Sequence, residues 1–178
     1  YGSYNYNSLA FIPSEIAYGV DQTLSAGYVS TYLGYWGTWY QGIAKTNKAL
    51  DCLKRFGQMS DEDKIRLEAE IKFVRASLYF DLVKRYKDII IYDEDLLAYS
   101  KDKAVSTESE AWEFIYQDLK FAADNLPARE AAKGRLNKGM AWAFMTRAML
   151  YAQRWEDVKT AAEAVESLGY SLEANYED

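Results

Sequence analysis

The sequence predicts an all-α fold of stacked antiparallel helix pairs, with an irregular segment ahead of them. Three observations predict it. From about residue 36 onward apolar residues recur at the spacing of an α-helix, and the two-residue alternation of a half-buried strand scarcely appears. The stretch Ser60–Asp88 carries two apolar stripes half a turn apart, Ile65, Ala69, Phe73, Ala76, Phe80 and Val83 on one face and Leu67, Ile71, Val74, Leu78 and Leu82 on the other. A surface helix needs only one such stripe, so two require helices packed on both sides. At 178 residues, 49% of them apolar, the chain can bury one core.

Residues 1–35 lack sustained periodicity and carry Gly2, Pro13, Gly19, Gly27 and Gly34, which favour loops and short irregular elements. Eight of the sixteen tyrosines fall in the first forty residues, beside Trp36 and Trp39, in a stretch with almost no charge. A first helix is expected from about Thr38 to Arg55, with Tyr40, Ile43, Ala44, Asn47, Leu50 and Lys54 along one side and Gly57 as its stop. Ser60 then caps the long helix, where Asp61, Glu62 and Asp63 suit the positive N-terminal end. At 1.5 Å per residue that helix spans about 40 Å.

After Asp88 the run Ile89–Tyr92 reads as a strand or an extended crossing, followed by Asp93, Glu94 and Asp95 as a solvated loop, with a calcium site as the alternative. Thr107 with Glu110 makes a capping box for a third helix, whose stripe is Trp112, Ile115, Leu119, Ala122 and Leu126, and Pro127 ends it. A polar loop with Lys133, Gly134 and Arg135 leads to Asn137, the cap of a helix through Ala152. A last helix runs from Arg154 to a stop at Leu168 and Gly169. The chain is thus expected to form a single domain over 1–178, irregular over 1–35 and helical over 36–178.

The net charge of −6 argues against nucleic-acid backbone binding, which needs clustered Lys and Arg. The absence of histidine removes the commonest general base and the usual zinc ligand. Cys52, set among Leu50, Leu53 and Phe56 at helical spacing, reads as a buried small hydrophobe. The acidic clusters are accounted for by a helix start and a loop, so the chain reads as non-catalytic, with no metal or cofactor. Tyr1 is not an initiator methionine, and no signal peptide or 18-residue apolar span follows. The chain reads as a trimmed piece, with any export signal or anchor lying upstream.

Trp142, Met145, Met149, Trp155, Val158, Ala162 and Val165 fall where tetratricopeptide repeats place packing residues, with Thr146 at the usual glycine position. This points to a tetratricopeptide-like right-handed superhelix, with a slightly wider crossing at Thr146.

A closer resemblance runs from Trp36 to Tyr176. Trp39, Tyr40, Ile43 and Asn47, then Glu70, Lys72, Phe73, Arg75, Ala76, Tyr79, Phe80, Leu82, Val83 and Tyr86, then Asp118, Leu119, Ala122, Leu126 and Pro127 stand in the order of strings found in the SusD/RagB family. Gly134, Arg135, Lys138, Ala141, Arg147, Leu150, Tyr151, Trp155, Gly169, Tyr170 and Leu172 resemble its remaining run. The resemblance implies a surface lipoprotein of the outer membrane that captures a glycan, or in some members a peptide, for a TonB-dependent transporter of the SusC type. It implies membrane attachment only through a lipid anchor outside this chain. Two departures stand out. The family's Tyr-Gly-Asp-Val-Pro turn is replaced by Tyr86, Lys87, Asp88, Ile89 and Ile90, and the chain is considerably shorter than family members, lacking much of an irregular C-terminal half that supplies part of the ligand surface.

The family-like residues are mainly packing positions, so the resemblance transfers no binding site to them. Arg75 and Arg147, inside apolar helices, are expected to form structural ion pairs, and Asn47 to bond backbone. Sugar capture needs flat aromatic faces together with amides and carboxylates. The candidates are Tyr28, Tyr32, Tyr35 and Trp36 for stacking, with Asp21, Gln22 and Thr31 for hydrogen bonds. The alternative is that these aromatics only cover the first helix. A plain tetratricopeptide scaffold binding a partner's peptide in its concave face is the competing function. It leaves the uncharged aromatic head without a role.

Overall fold

A computed structural model describes residues 36–94, 103–128 and 134–170. The irregular segment expected over 1–35 lies outside the described residues, as do Asp95, Lys133, Leu172 and Tyr176. The chain divides after Thr38 into two units, and the described helices belong to the second, apart from the opening turn of the first helix. The described residues form α1 (Trp36–Phe56), α2 (Asp61–Tyr86), α3 (Glu108–Asn125), α4 (Lys138–Tyr151) and α5 (Trp155–Ser167). No strand occurs among them beyond one isolated antiparallel bridge between Ile89 and Ser106.

Local chemistry sets the helix ends. The Ser60 hydroxyl accepts from the Asp63 amide at 3.1 Å, and the Asn137 side chain accepts from Met140 N at 2.9 Å. Both halves of the Thr107–Glu110 capping box are formed. Gly57 closes α1, where an added Cβ would sit 2.6 Å from the Leu53 carbonyl oxygen. The turn after α2 departs from the glycine-bearing turn it resembles in an instructive way. Lys87 takes φ 61, ψ −87, while its amide donates to Val83 O at 2.9 Å. The chain therefore keeps a backbone shape suited to glycine and imposes it on a lysine.

Successive helices pack on one another in chain order, α2 on α3, α3 on α4 and α4 on α5, with α4 also touching α2. Gly42 of α1 faces Leu78 of α2. Small residues let α2, α3 and α4 approach, with Ala69, Ala122, Ala123 and Ala141 sealed beside Leu126. Phe80 is the centre of an aromatic cluster, meeting Phe144 and Tyr151 at 5.3 Å and Trp112 at 6.0 Å between ring centroids. The expected stripe of α3 is buried throughout.

Several expectations need correction. On α2 the first stripe is sealed at Ala69, Ala76, Phe80 and Val83, but Ile65 and Val74 are exposed and only Leu82 of the second stripe is fully buried. Periodicity located both faces; it could not say how far a neighbour covers each. Cys52 is exposed, because two residues past the buried Leu50 a helix has turned through about 200°. Trp155 opens α5 and is 61% exposed, and Ala161 is the residue that α5 buries. Thr146 satisfies its hydroxyl on the Trp142 carbonyl at 3.0 Å. Arg147 is exposed and lies 5.8 Å from the Phe80 ring centroid, on a helix that carries no acid for it to pair with.

Candidate functional site

Of the sequence-predicted site residues, Trp36 is the first residue of α1 and is half-buried. Asp21, Gln22, Tyr28, Thr31, Tyr32 and Tyr35 lie outside the described residues. Two other polar constellations stand out in the described part.

The first is a buried network around Arg75, whose side chain is 2% exposed. Its guanidinium grips Asp118 bidentately, Nε to Oδ2 at 2.7 Å and Nη2 to Oδ1 at 2.8 Å. Nη1 donates to Asn47 Oδ1 at 2.8 Å and to Glu94 Oε2 at 3.0 Å. One face of the guanidinium lies over Phe114 at 4.9 Å. Asn47 turns its amide to Tyr92 O at 3.0 Å, and Lys54 reaches Glu94 at 3.2 Å.

Helices α1 and α2 also hold the extended Ile89–Glu94 segment by its backbone. The Tyr79 hydroxyl donates to Tyr92 O and accepts from Tyr92 N, at 2.9 and 2.7 Å. The Tyr40 hydroxyl does the same for Ile90 O and N, both at 2.8 Å. Two tyrosines thus stand in for a neighbouring strand.

Electrostatics follow from this packing. Burial works against the Arg75 charge, but Asp118 and Glu94 outweigh it and raise its pKa. Burial alone would push the Glu94 carboxyl up; Arg75, with help from Lys54, more than reverses this and holds it at about 2. Asp118 is raised by burial, with Arg75 opposing. Burial raises the Tyr40 hydroxyl to about 12.

This settles several sequence expectations. Arg75 forms the structural ion pair and Asn47 bonds backbone, as expected. Glu94, expected in a solvated loop, is instead a half-buried ion-pair partner. Its partners lie 19 and 40 positions away, so no local pattern could reveal them. Asn47, Arg75, Tyr79 and Asp118 come from three separate family-like strings and meet in one network. Glu70 and Arg135, from two such strings, also pair, at 2.6 Å.

The second constellation is an open groove of about 1070 Å³ between the start of α3 and the α4–α5 turn. Asp88, Glu108, Trp112 and Glu113 line one side, and Tyr151 to Arg154 the other. Tyr151 is 49% exposed, with its ring braced edge-on at 89° to Phe80. Gln153 sits in the turn with φ 58, a left-handed conformation. Arg154 bonds Glu113 Oε2 and Asp157 Oδ2, each at 2.6 Å, and stacks over Tyr116. Thr107 holds the Glu110 carboxyl below its ordinary pKa, and Gln117 and Arg154 do the same for Glu113.

Among the described residues no group of three or more acidic or cysteine side chains is placed to hold a metal ion, and no helix is long and apolar enough to cross a membrane. A family model described as starch-binding and associating with the outer membrane matches residues 5–150. The chain belongs to the SusD-like family. A SusD-like protein of Bacteroides ovatus is 25% identical over 193 aligned positions, covering 100% of this chain and 33% of that protein. The crystal structure of a SusD-like protein from Bacteroides fragilis matches with 37% identity and a TM-score of 0.71, over 77% of this chain and 27% of that one. A laminarin-binding SusD-like protein matches with a TM-score of 0.79 and 25% identity, over 96% of this chain and 42% of that one. The chain spans a third or less of the length of the curated relatives it matches. Its all-helical architecture is that of the SusD-like structures.

Proposed function

We propose that this chain is the helical part of a non-catalytic, surface-exposed outer-membrane lipoprotein that captures an oligo- or polysaccharide and delivers it to a TonB-dependent, SusC-like transporter. The observation that carries the reading is the match of residues 5–150 to a starch-binding, outer-membrane-associating family, with a laminarin-binding protein among the similar structures. The ligand contacts lie on the aromatic head, with Tyr28, Tyr32, Tyr35 and Trp36 stacking on pyranose faces and Asp21, Gln22 and Thr31 bonding hydroxyls. The nearly uncharged, tyrosine-rich composition of the head supports this assignment. Arg75 and its partners act as scaffold, holding α1, α2, α3 and the Ile89–Glu94 segment together.

A protein that hands its ligand on binds it weakly, at micromolar to millimolar dissociation constants, about −8 to −4 kcal/mol. Affinity electrophoresis in gels of laminarin, starch and xyloglucan tests the reading. Retardation by at least one glucan, reduced in a folded Trp36→Ala, Tyr32→Ala double variant, is the expected result. Retardation unchanged by the double variant removes the head assignment, and no retardation by any glycan removes the function.

A further inference from the structure

The groove between the start of α3 and the α4–α5 turn shares no residue with the scaffold network or with the proposed head site. Its lining combines one exposed aromatic ring, Tyr151, beside the buried Trp112, with neutral and acidic hydrogen-bonding groups and Arg154. Among the described residues the Tyr151 hydroxyl, the Ser109 hydroxyl and the Gln153 carboxamide make no hydrogen bond to the protein, so donors and acceptors remain for a ligand. Asp88 takes one protein donor, Glu108 N at 2.9 Å, and Glu108 takes one, Trp112 Nε1 at 3.3 Å. An ionised carboxylate can accept about four, so each keeps free lone pairs.

The start of α3 is not itself the attraction, since Asp88 and the capping box already occupy the Glu108 and Glu110 amides. The charge of the lining decides the ligand class. Four carboxylates, Asp88, Glu108, Glu110 and Glu113, face the single guanidinium of Arg154, whose charge is already shared with Glu113 and Asp157. An anionic ligand would be repelled. A cationic ligand would be drawn by the net negative lining, but Glu110 and Glu113 are engaged by Thr107, Gln117 and Arg154, so only Asp88 and Glu108 could pair with it, and they lie beside an aromatic face and neutral hydrogen-bonding groups it would not use. What remains matches a ligand with a flat CH face and many hydroxyls that both donate and accept. The open shape, just above the roughly 300–1,000 Å³ of small-molecule sites, suits several sugar units.

We propose that this groove is a second carbohydrate site, selective for neutral saccharide chains over uronate-bearing or sulfated ones, with Tyr151 as the stacking face and Gln153, Asp88 and Glu108 as hydroxyl partners. The inference rests on the glycan-binding reading. Its test separates the two.

Binding of a neutral glucan hexasaccharide to the full chain is measured by calorimetry, beside a uronate hexasaccharide, a sulfated hexasaccharide and a lysine hexapeptide. The head variant Trp36→Ala, Tyr32→Ala serves as background, and Tyr151→Ala and Gln153→Gly are added to it. Residual glucan binding in the head variant, weakened about tenfold by either groove substitution and absent for the anionic sugars, is the expected result. Gln153→Gly relieves a left-handed backbone, so it should melt no lower than its parent, and a loss of binding there is not unfolding. The proposal falls if the head variant binds no glucan while the parent does, if the groove substitutions change nothing, or if an anionic sugar or the peptide binds more tightly than the glucan. In those cases glucan binding by the parent still upholds the capture function. A parent that binds no glycan overturns both.

Discussion

Arg75 and Asp118 face each other through two parallel hydrogen bonds, at 2.7 and 2.8 Å, with side chains only 2% and 6% exposed. Removing the cation alone leaves a carboxylate buried without its partner. Arg75→Ala is therefore expected to cost about 3–5 kcal/mol, read as a lower denaturant midpoint, while Asp118→Asn, which keeps an acceptor, should cost less.

The Glu94 carboxyl gives this network an acid limit. Its folded pKa, about 2, lies below the ordinary 4.5, so its stabilising contribution is complete above the ordinary value and is lost as pH falls toward 2. Asp118, raised by burial, acts in the opposite sense, because its protonated form is favoured in the folded state. Glu94→Gln isolates the first effect. Melting temperature between pH 5 and pH 2 should fall less steeply in this variant than in the parent.

Lys87 occupies φ 61, ψ −87, a conformation rare and strained for a residue with a side chain. Lys87→Gly should raise stability by about 1 kcal/mol, since relief of strain outweighs the added freedom of the unfolded chain. A midpoint unchanged or lowered in denaturant titration would show the lysine to be comfortable there.

The two tyrosines that stand in for a strand can be separated by hydrogen exchange. The Tyr92 amide donates to Tyr79 and the Ile90 amide to Tyr40, at 2.7 and 2.8 Å. Tyr79→Phe should accelerate exchange at Tyr92 while leaving Ile90 protected, and Tyr40→Phe should do the reverse. Equal acceleration of both amides would mean that the segment opens as one unit.

Tyr40 also sets an alkaline limit. Its hydroxyl is raised to about 12 from 10, so the stability it confers is complete below pH 10 and lost as pH climbs through 12. Tyr40→Phe should flatten that decline in a pH series of unfolding curves.

The sequence was most legible where a few adjacent residues decide the outcome. Ser60, the Thr107–Glu110 pair, Asn137 and Gly169 each mark a helix end by local hydrogen bonding or backbone freedom, and the ends fall within about two residues of those expected. Burial was less legible. The period of α2 exposes two apolar faces in the sequence, yet whether Ile65 or Val74 is covered depends on neighbours that no local pattern names. Glu94 looked like solvated charge because its partners come from α1 and α2. The groove escaped notice because Tyr151 and Gln153 are ordinary in sequence and gain meaning only when the α4–α5 turn meets the start of α3. The head residues Tyr28, Tyr32 and Tyr35 lie outside the described residues, and Trp36 is half-buried at the start of α1.

The fastening of Ile89–Glu94 by phenolic oxygens has an evolutionary corollary. A strand in a sheet can slip by two residues and pair again, but this segment is read at fixed points, Ile90 by Tyr40 and Tyr92 by Tyr79. Losing or gaining a single residue between Tyr86 and Ile90 would put the wrong groups before both tyrosines, and one between Ile90 and Tyr92 would do so before Tyr79. Insertions after Glu94 would leave every one of those bonds in place. The scaffold thus sets a boundary in the sequence: a change of length before Ile90 breaks the fastening, and a change after Glu94 does not touch it.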